Sequence, residues 1–223
     1  MKKISILMIA LSGMFSMACS PKSSPEQSVS NKDNAAYEKS MGEAFSLFKQ
    51  GKLERASLVF ERIAQVEKGN WIPSYYAAHT NILQVFATTD KSKGEELLQR
   101  AEKYLKQAQS IAPRNSEVET LQGVYYTAKI VLDPMVNGMK FSAPALSAFE
   151  KAKQLDPSNP RPVYLAAQFQ INASKFMGGD PASYCAEIKR VIPMFDAFSP
   201  KQKFAPRWGK EQALKVLRSS PCK

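Results

Sequence analysis

Three observations predict an all-α chain built from antiparallel helix hairpins stacked side by side. The first is the stretch 145–168, where Ala145, Phe149 and Ala152 recur at spacings of four and three on one helix face, Asp156-Pro157 ends that helix, and Pro160 opens the next. The second is repetition of that face upstream, at Ala101, Leu105, Ala108 with Pro113, and at Ala56, Phe60, Ile63 with Lys68 where the proline is expected. The third is an independent register of small residues, Ala44, Ala78, Gly123 and Ala167, each followed by an apolar helical run, at intervals of 34, 45 and 44 residues. Small residues let two helix backbones approach, and the large residue between them fills the gap.

This pattern resembles the tetratricopeptide repeat, whose second helix carries Ala, Phe, Ala and a closing Pro at these intervals. The resemblance implies a right-handed superhelical solenoid of about four units, 35–69, 70–115, 116–159 and 160–198, with a C-terminal cap over 199–223. From small residue to partner helix the offset is 12 in the first unit but 23 and 22 in the next two, so units two and three carry insertions of about ten residues.

The chain opens with Met1-Lys2-Lys3, an apolar run to Met17 and small residues before Cys19, the layout of an export signal over 1–18. An apolar run this short falls below the roughly 20 residues needed to span a bilayer. Ser16-Met17-Ala18-Cys19 resembles the site at which bacterial lipoproteins are cut before a lipidated Cys, with Ser16 where Leu is usual; the same residues also suit the ordinary signal peptidase, which would release a soluble protein. Parity bears on the choice. The chain has three Cys, and a lipid on Cys19 leaves Cys185 and Cys222 to pair in an oxidising compartment, the alternative being two free thiols. Such a bridge is worth about 3 to 4 kcal/mol in loop entropy. Residues 19–34, rich in Ser and Pro, read as a disordered tether about 20 Å long on average.

Helices are expected over 35–51 and 52–66, joined by a tight turn at Gly51-Lys52, and over 70–88, the most aromatic of the chain. An insertion loop over 88–93 precedes a helix over 94–111, and the third hairpin begins with a helix over 116–132. Residues 133–144 carry turn formers together with Met135, Val136, Met139 and Phe141 and read as a loop that packs back on the body. Helices over 160–175, 182–191 and 210–218 follow, with an ordered connection over 199–208 that ends on Trp208 as an aromatic plug. Asp180-Pro181 reads as an N-cap and first helical residue, which leaves Gly178-Gly179 a weak phosphate motif.

Formal net charge is +11, and +9 without Lys2 and Lys3; residues 187–223 hold nine basic against three acidic side chains, a net +6. In an exported protein this favours an anionic surface or acidic protein over nucleic acid. Catalysis has little to stand on. His79 is the one His in the chain, no HExxH or Gly-rich nucleotide loop occurs, and neither a metal site nor a cofactor is expected.

In the repeat family the first helix of each unit lines the groove. The resemblance transfers that role to Tyr75, Tyr76 and His79, to Thr120, Val124 and Thr127, and to Tyr164, Gln168 and Asn172. Members that hold a terminal carboxylate place Lys, Asn and Arg there; aromatic and apolar residues, with Glu117 on the same helix, do not imply that activity. The chain with its insertions and its tail PRWGKEQALKVL also resembles exported, lipid-anchored bacterial proteins of this repeat. The expectation is a non-catalytic scaffold that binds a protein or peptide in the cell envelope through a tether at Cys19. The alternatives are an envelope structural component held to an anionic surface by its basic end, and a hydrolase.

Overall fold

The computed structural model describes residues 25–178, 180–219 and 222–223. The signal segment and Cys19 lie outside them. Nine helices are present among the described residues: α1 (Pro25–Lys49), α2 (Leu53–Val66), α3 (Trp71–Ala87), α4 (Lys91–Ile111), α5 (Ser116–Leu132), α6 (Pro134–Leu155), α7 (Pro160–Met177), α8 (Ala182–Ala197) and α9 (Lys210–Leu217). The compact helical body runs from Ala36 to Lys223. The α3–α4, α5–α6 and α7–α8 hairpins pack within themselves, and the first helices pack in turn, α3 on α5 and α5 on α7.

Each of the small residues that set the register is buried. Ala44, Ala56, Ala78, Ala101 and Ala145 have no solvent exposure, and the large partners Phe60, Leu105 and Phe149 lie beside them in the core. Gly123 takes the small-residue place in α5 because a Cβ there would run into the Phe149 ring. Helix starts follow the polar residues that cap them: Asn70, Asp90, Asn115, Asp133 and Asn159 each accept a backbone N–H of the first turn. At the Gly51 turn φ is +73°, a conformation that favours glycine.

Three expectations need correction. Residues 25–34, assigned to the disordered tether, are helical and belong to α1. The insertions are helical rather than looped: only residues 88–90 separate α3 from α4, and only Asp133 separates α5 from α6. Asp133-Pro134 works as an N-cap and first residue instead of a turn, and Pro144 is carried inside α6 at the cost of one backbone hydrogen bond. Finally, residues 134–143 pack back only in part. Phe141 stacks on Tyr126 at 5.6 Å, but Met135, Val136 and Met139 face solvent.

Candidate functional site

Residues 199–208 form a strap that lies against the α3 face on which Trp71, Tyr75 and His79 recur every four residues. The Trp71 indole N–H donates to Gln202 Oε1 at 2.9 Å, and the Trp208 indole N–H donates to the Tyr75 hydroxyl at 3.0 Å. Trp208 also stacks on His79, with ring centroids 4.8 Å apart. Phe204 stacks on Phe45 at 5.7 Å and meets Tyr37 edge-on at 5.8 Å, held there with φ at +65°, rare for a residue other than glycine.

A buried ion pair clasps the strap from the other side. Arg161, 1% exposed, donates from Nε and Nη2 to the two Glu117 carboxylate oxygens at 2.9 and 2.7 Å. Its remaining donors reach the backbone carbonyls of Trp208, at 3.3 Å, and Pro206. Asn159 completes the cluster by donating to Glu117 Oε1 and to Ser116 Oγ, both at 3.0 Å. Burial raises the Glu117 carboxyl above its ordinary range, with Arg161 opposing the rise. Downstream of the strap, α9 packs on α7 and α8, and Cys222 is joined to Cys185 across 37 residues with their Cα atoms 5.4 Å apart.

What the strap leaves open is a pocket of about 640 Å³ bounded by α3, α5, α7 and α9. Its walls are mainly apolar, with Phe48, Leu83, Val124, Phe169 and Trp208, and Lys175 and Lys215 stand at its edge. Of the nine groove residues expected from the repeat, His79, Val124, Thr127, Tyr164, Gln168 and Asn172 line this pocket. Tyr75, Tyr76 and Thr120 do not. Tyr75 has no exposure beneath the strap, Tyr76 packs between Phe45 and Phe60 at 4.7 and 5.2 Å, and the Thr120 hydroxyl donates to its own helix at Ser116 O. The strap covers the α3 face at Trp71 and Tyr75. His79 is pushed down to about 3 by burial and then by Arg161, so the imidazole is neutral, and its Nδ1 has no hydrogen-bond partner.

Sequence reasoning did not single out Arg161, Lys175 or Lys215. The available signal was Arg161 itself, a charged residue placed between Pro160 and Pro162 at a helix start, where a long solvated side chain has no evident use.

No protein-family model matches the sequence, and no curated protein matches it significantly. Among solved structures the chain is similar to the HusA haemophore from Porphyromonas gingivalis, at 24% identity and a TM-score of 0.71, covering 81% of this chain and 90% of that one. It is also similar to a thermophilic tetratricopeptide repeat protein of Thermus thermophilus, at 16% identity and a TM-score of 0.56, covering 83% of this chain and 92% of that one. The chain has the fold of a tetratricopeptide-like helical repeat protein.

Proposed function

We propose that this chain is a non-catalytic binding protein of the bacterial cell envelope, exported and tethered through Cys19, which holds a compact apolar ligand in the pocket between α3, α5, α7 and α9. One observation carries the reading. The strap covers the first half of the inner face of α3, at Trp71 and Tyr75, so the remaining opening, about 640 Å³, has the size of a small-molecule site, within the usual range of roughly 300–1,000 Å³, rather than that of an extended peptide groove. The similar protein from P. gingivalis is described as a haemophore, which supports a porphyrin as the first ligand to test. The residues fit such a cargo: apolar walls for the macrocycle and Lys175 and Lys215 at the edge for its carboxylates.

The test is titration of the purified Cys19→Ser chain with protoporphyrin IX, followed by quenching of tryptophan emission. Saturable quenching in the wild-type pocket, lost when Thr127→Phe fills it, supports the reading. Absence of saturable binding, or binding that Thr127→Phe leaves unchanged, refutes it.

A second reading keeps the protein- or peptide-binding scaffold. It is favoured by Phe86 and Phe176, exposed at the ends of α3 and α7 beside the pocket, where aromatic side chains suit a protein contact. It predicts that a defined envelope protein co-purifies with the wild-type chain from solubilised membranes and is lost from Phe86→Ser/Phe176→Ser.

A further inference from the structure

Helix α9 forms one wall of the pocket and is fastened at both ends. It is eight residues long, and Ala213 is its one buried residue. A helix this short is marginal without tertiary contacts, so its position depends on what holds its ends. At its start, Arg161 donates to the Trp208 carbonyl and Lys210 pairs with Asp196 of α8. The backbone there comes so close to α8 that a Cβ at Gly209 would meet the Phe195 ring. Past its end, Cys222 is joined to Cys185 in the first turn of α8. The pocket-lining residues of this segment, Gln212, Lys215, Val216 and Ser219, lie between the two fastenings.

The two fastenings differ in kind. The first is a set of packed and polar contacts that no reductant touches, whereas the second is one covalent bond that a dithiol opens. Cys222 is the partly exposed member of the pair and Cys185 the buried one. A reductant thiolate attacks the Cys222 sulfur, the S–S bond breaks, and Cys185 leaves as a thiolate that takes up a proton. The reductant's second thiol then displaces Cys222 from the mixed disulfide. Two electrons pass to the bridge, both cysteines end as thiols, and the dithiol ends as a disulfide. What remains at that end of α9 is Val216 and Leu217, only partly buried against the α7–α8 core.

We propose that the Cys185–Cys222 bridge is a redox latch on the pocket: closed, it holds the second half of α9 as a wall, and its reduction by a dithiol frees Lys215, Val216 and Ser219 and lets the ligand go. A terminal segment tied down at one end only frays, and it does so without the rest of the fold. Apparent affinity then falls by the fraction of molecules whose wall is in place. Opening also removes Lys215 from the pocket edge, where it stands to meet a ligand carboxylate. Release of the ligand rests on the pocket function proposed above, whereas the loosening of α9 does not.

The test uses the Cys19→Ser chain, whose only remaining cysteines are the bridged pair, before and after dithiothreitol, with thiol titration confirming reduction. Amide hydrogen exchange over 210–217 should speed up on reduction while exchange in α3–α6 stays as it was. Protoporphyrin IX, followed by tryptophan quenching, should bind the reduced chain about tenfold more weakly, as expected if the wall is in place in about one molecule in ten. Cys185→Ser/Cys222→Ser should match the reduced chain in both measurements and ignore dithiothreitol. Unchanged exchange in α9, or equal porphyrin affinity of the oxidised and reduced chains, overturns the latch. Loss of the whole helical circular dichroism signal on reduction also overturns it, because the bridge would then hold the fold rather than the wall. Failure of the oxidised chain to bind porphyrin refutes the pocket's proposed ligand instead, and the exchange comparison, which needs no ligand, still decides the latch.

Discussion

Replacing Arg161 by Met leaves Glu117 as an uncompensated carboxylate in the protein interior and removes two donors from the strap. The guanidinium makes four hydrogen bonds, two to the Glu117 carboxylate and one each to the carbonyls of Pro206 and Trp208. Glu117 itself is 7% exposed and retains only Asn159 as a side-chain donor after the substitution. Breaking one side of a buried pair costs about 3–5 kcal/mol, whereas removing both charges is much less costly. Arg161→Met should therefore lower stability by about 3–5 kcal/mol in urea titrations followed by tryptophan emission, with the disulfide intact. Arg161→Met/Glu117→Leu should recover at least about half of the loss. The emission of Trp208 should shift to the red in the single variant before global unfolding, as the strap is freed on this side. A loss under about 1 kcal/mol, or a double variant no more stable than the single one, would refute the clasp as the fastening of the strap.

Gly123→Ala should destabilise by about 1–3 kcal/mol because the new methyl group meets the Phe149 ring, whereas Gly42→Ala, in open space on α1, should be neutral or stabilising in the same thermal melts. Cys185→Ser/Cys222→Ser should cost about 3–4 kcal/mol in denaturant midpoints; a cost near zero would mean that α9 is held without the bridge. His79 titrates near 6.5 when unfolded and near 3 in the fold, so the unfolded chain binds the extra proton and stability is lost as pH falls from 6.5 toward 3, by at most about 1.4 kcal/mol per pH unit. Glu117, raised in the fold, has the opposite sign: its contribution is present below 4.5 and is lost as pH rises. Urea titrations of wild type and His79→Phe at a series of pH values isolate the histidine, and identical pH slopes would contradict its burial as a neutral ring.

Local rules made the hairpins legible. A small residue every helical hairpin, a large one beside it and a proline or Asn-type cap at each boundary are statements about neighbours in sequence, and Ala44, Ala78, Gly123 and Ala167 carried them. The insertions were misread because Asp133-Pro134 serves equally well as a turn and as a helix start. Only the capping bond to the Val136 N–H distinguishes the two uses. Met135 and Met139 misled for a related reason: large apolar side chains imply burial, but nothing in this chain covers them. The strap was least legible. It has no periodicity, and its anchoring hydrogen bonds, Trp71 with Gln202 and Trp208 with Tyr75, join residues 131 and 133 positions apart, a separation at which no local pattern operates. Hence Tyr75 was expected to be open, whereas it is buried beneath the strap.

The proposed function requires the strap to cover the inner face of α3 at Tyr75 and His79 and to limit the site to a compact pocket. The direct measurement is a nuclear Overhauser spectrum of the folded chain. It is readily assigned because the sequence has one His and two Trp. With the His79 and Trp208 rings stacked at 4.8 Å, cross-peaks between their ring protons are predicted, and they should vanish in Trp208→Ala. A Trp208 indole with the shifts of a solvent-exposed ring and no cross-peak to His79 would show the inner face to be open along its length and would contradict a strap-limited pocket.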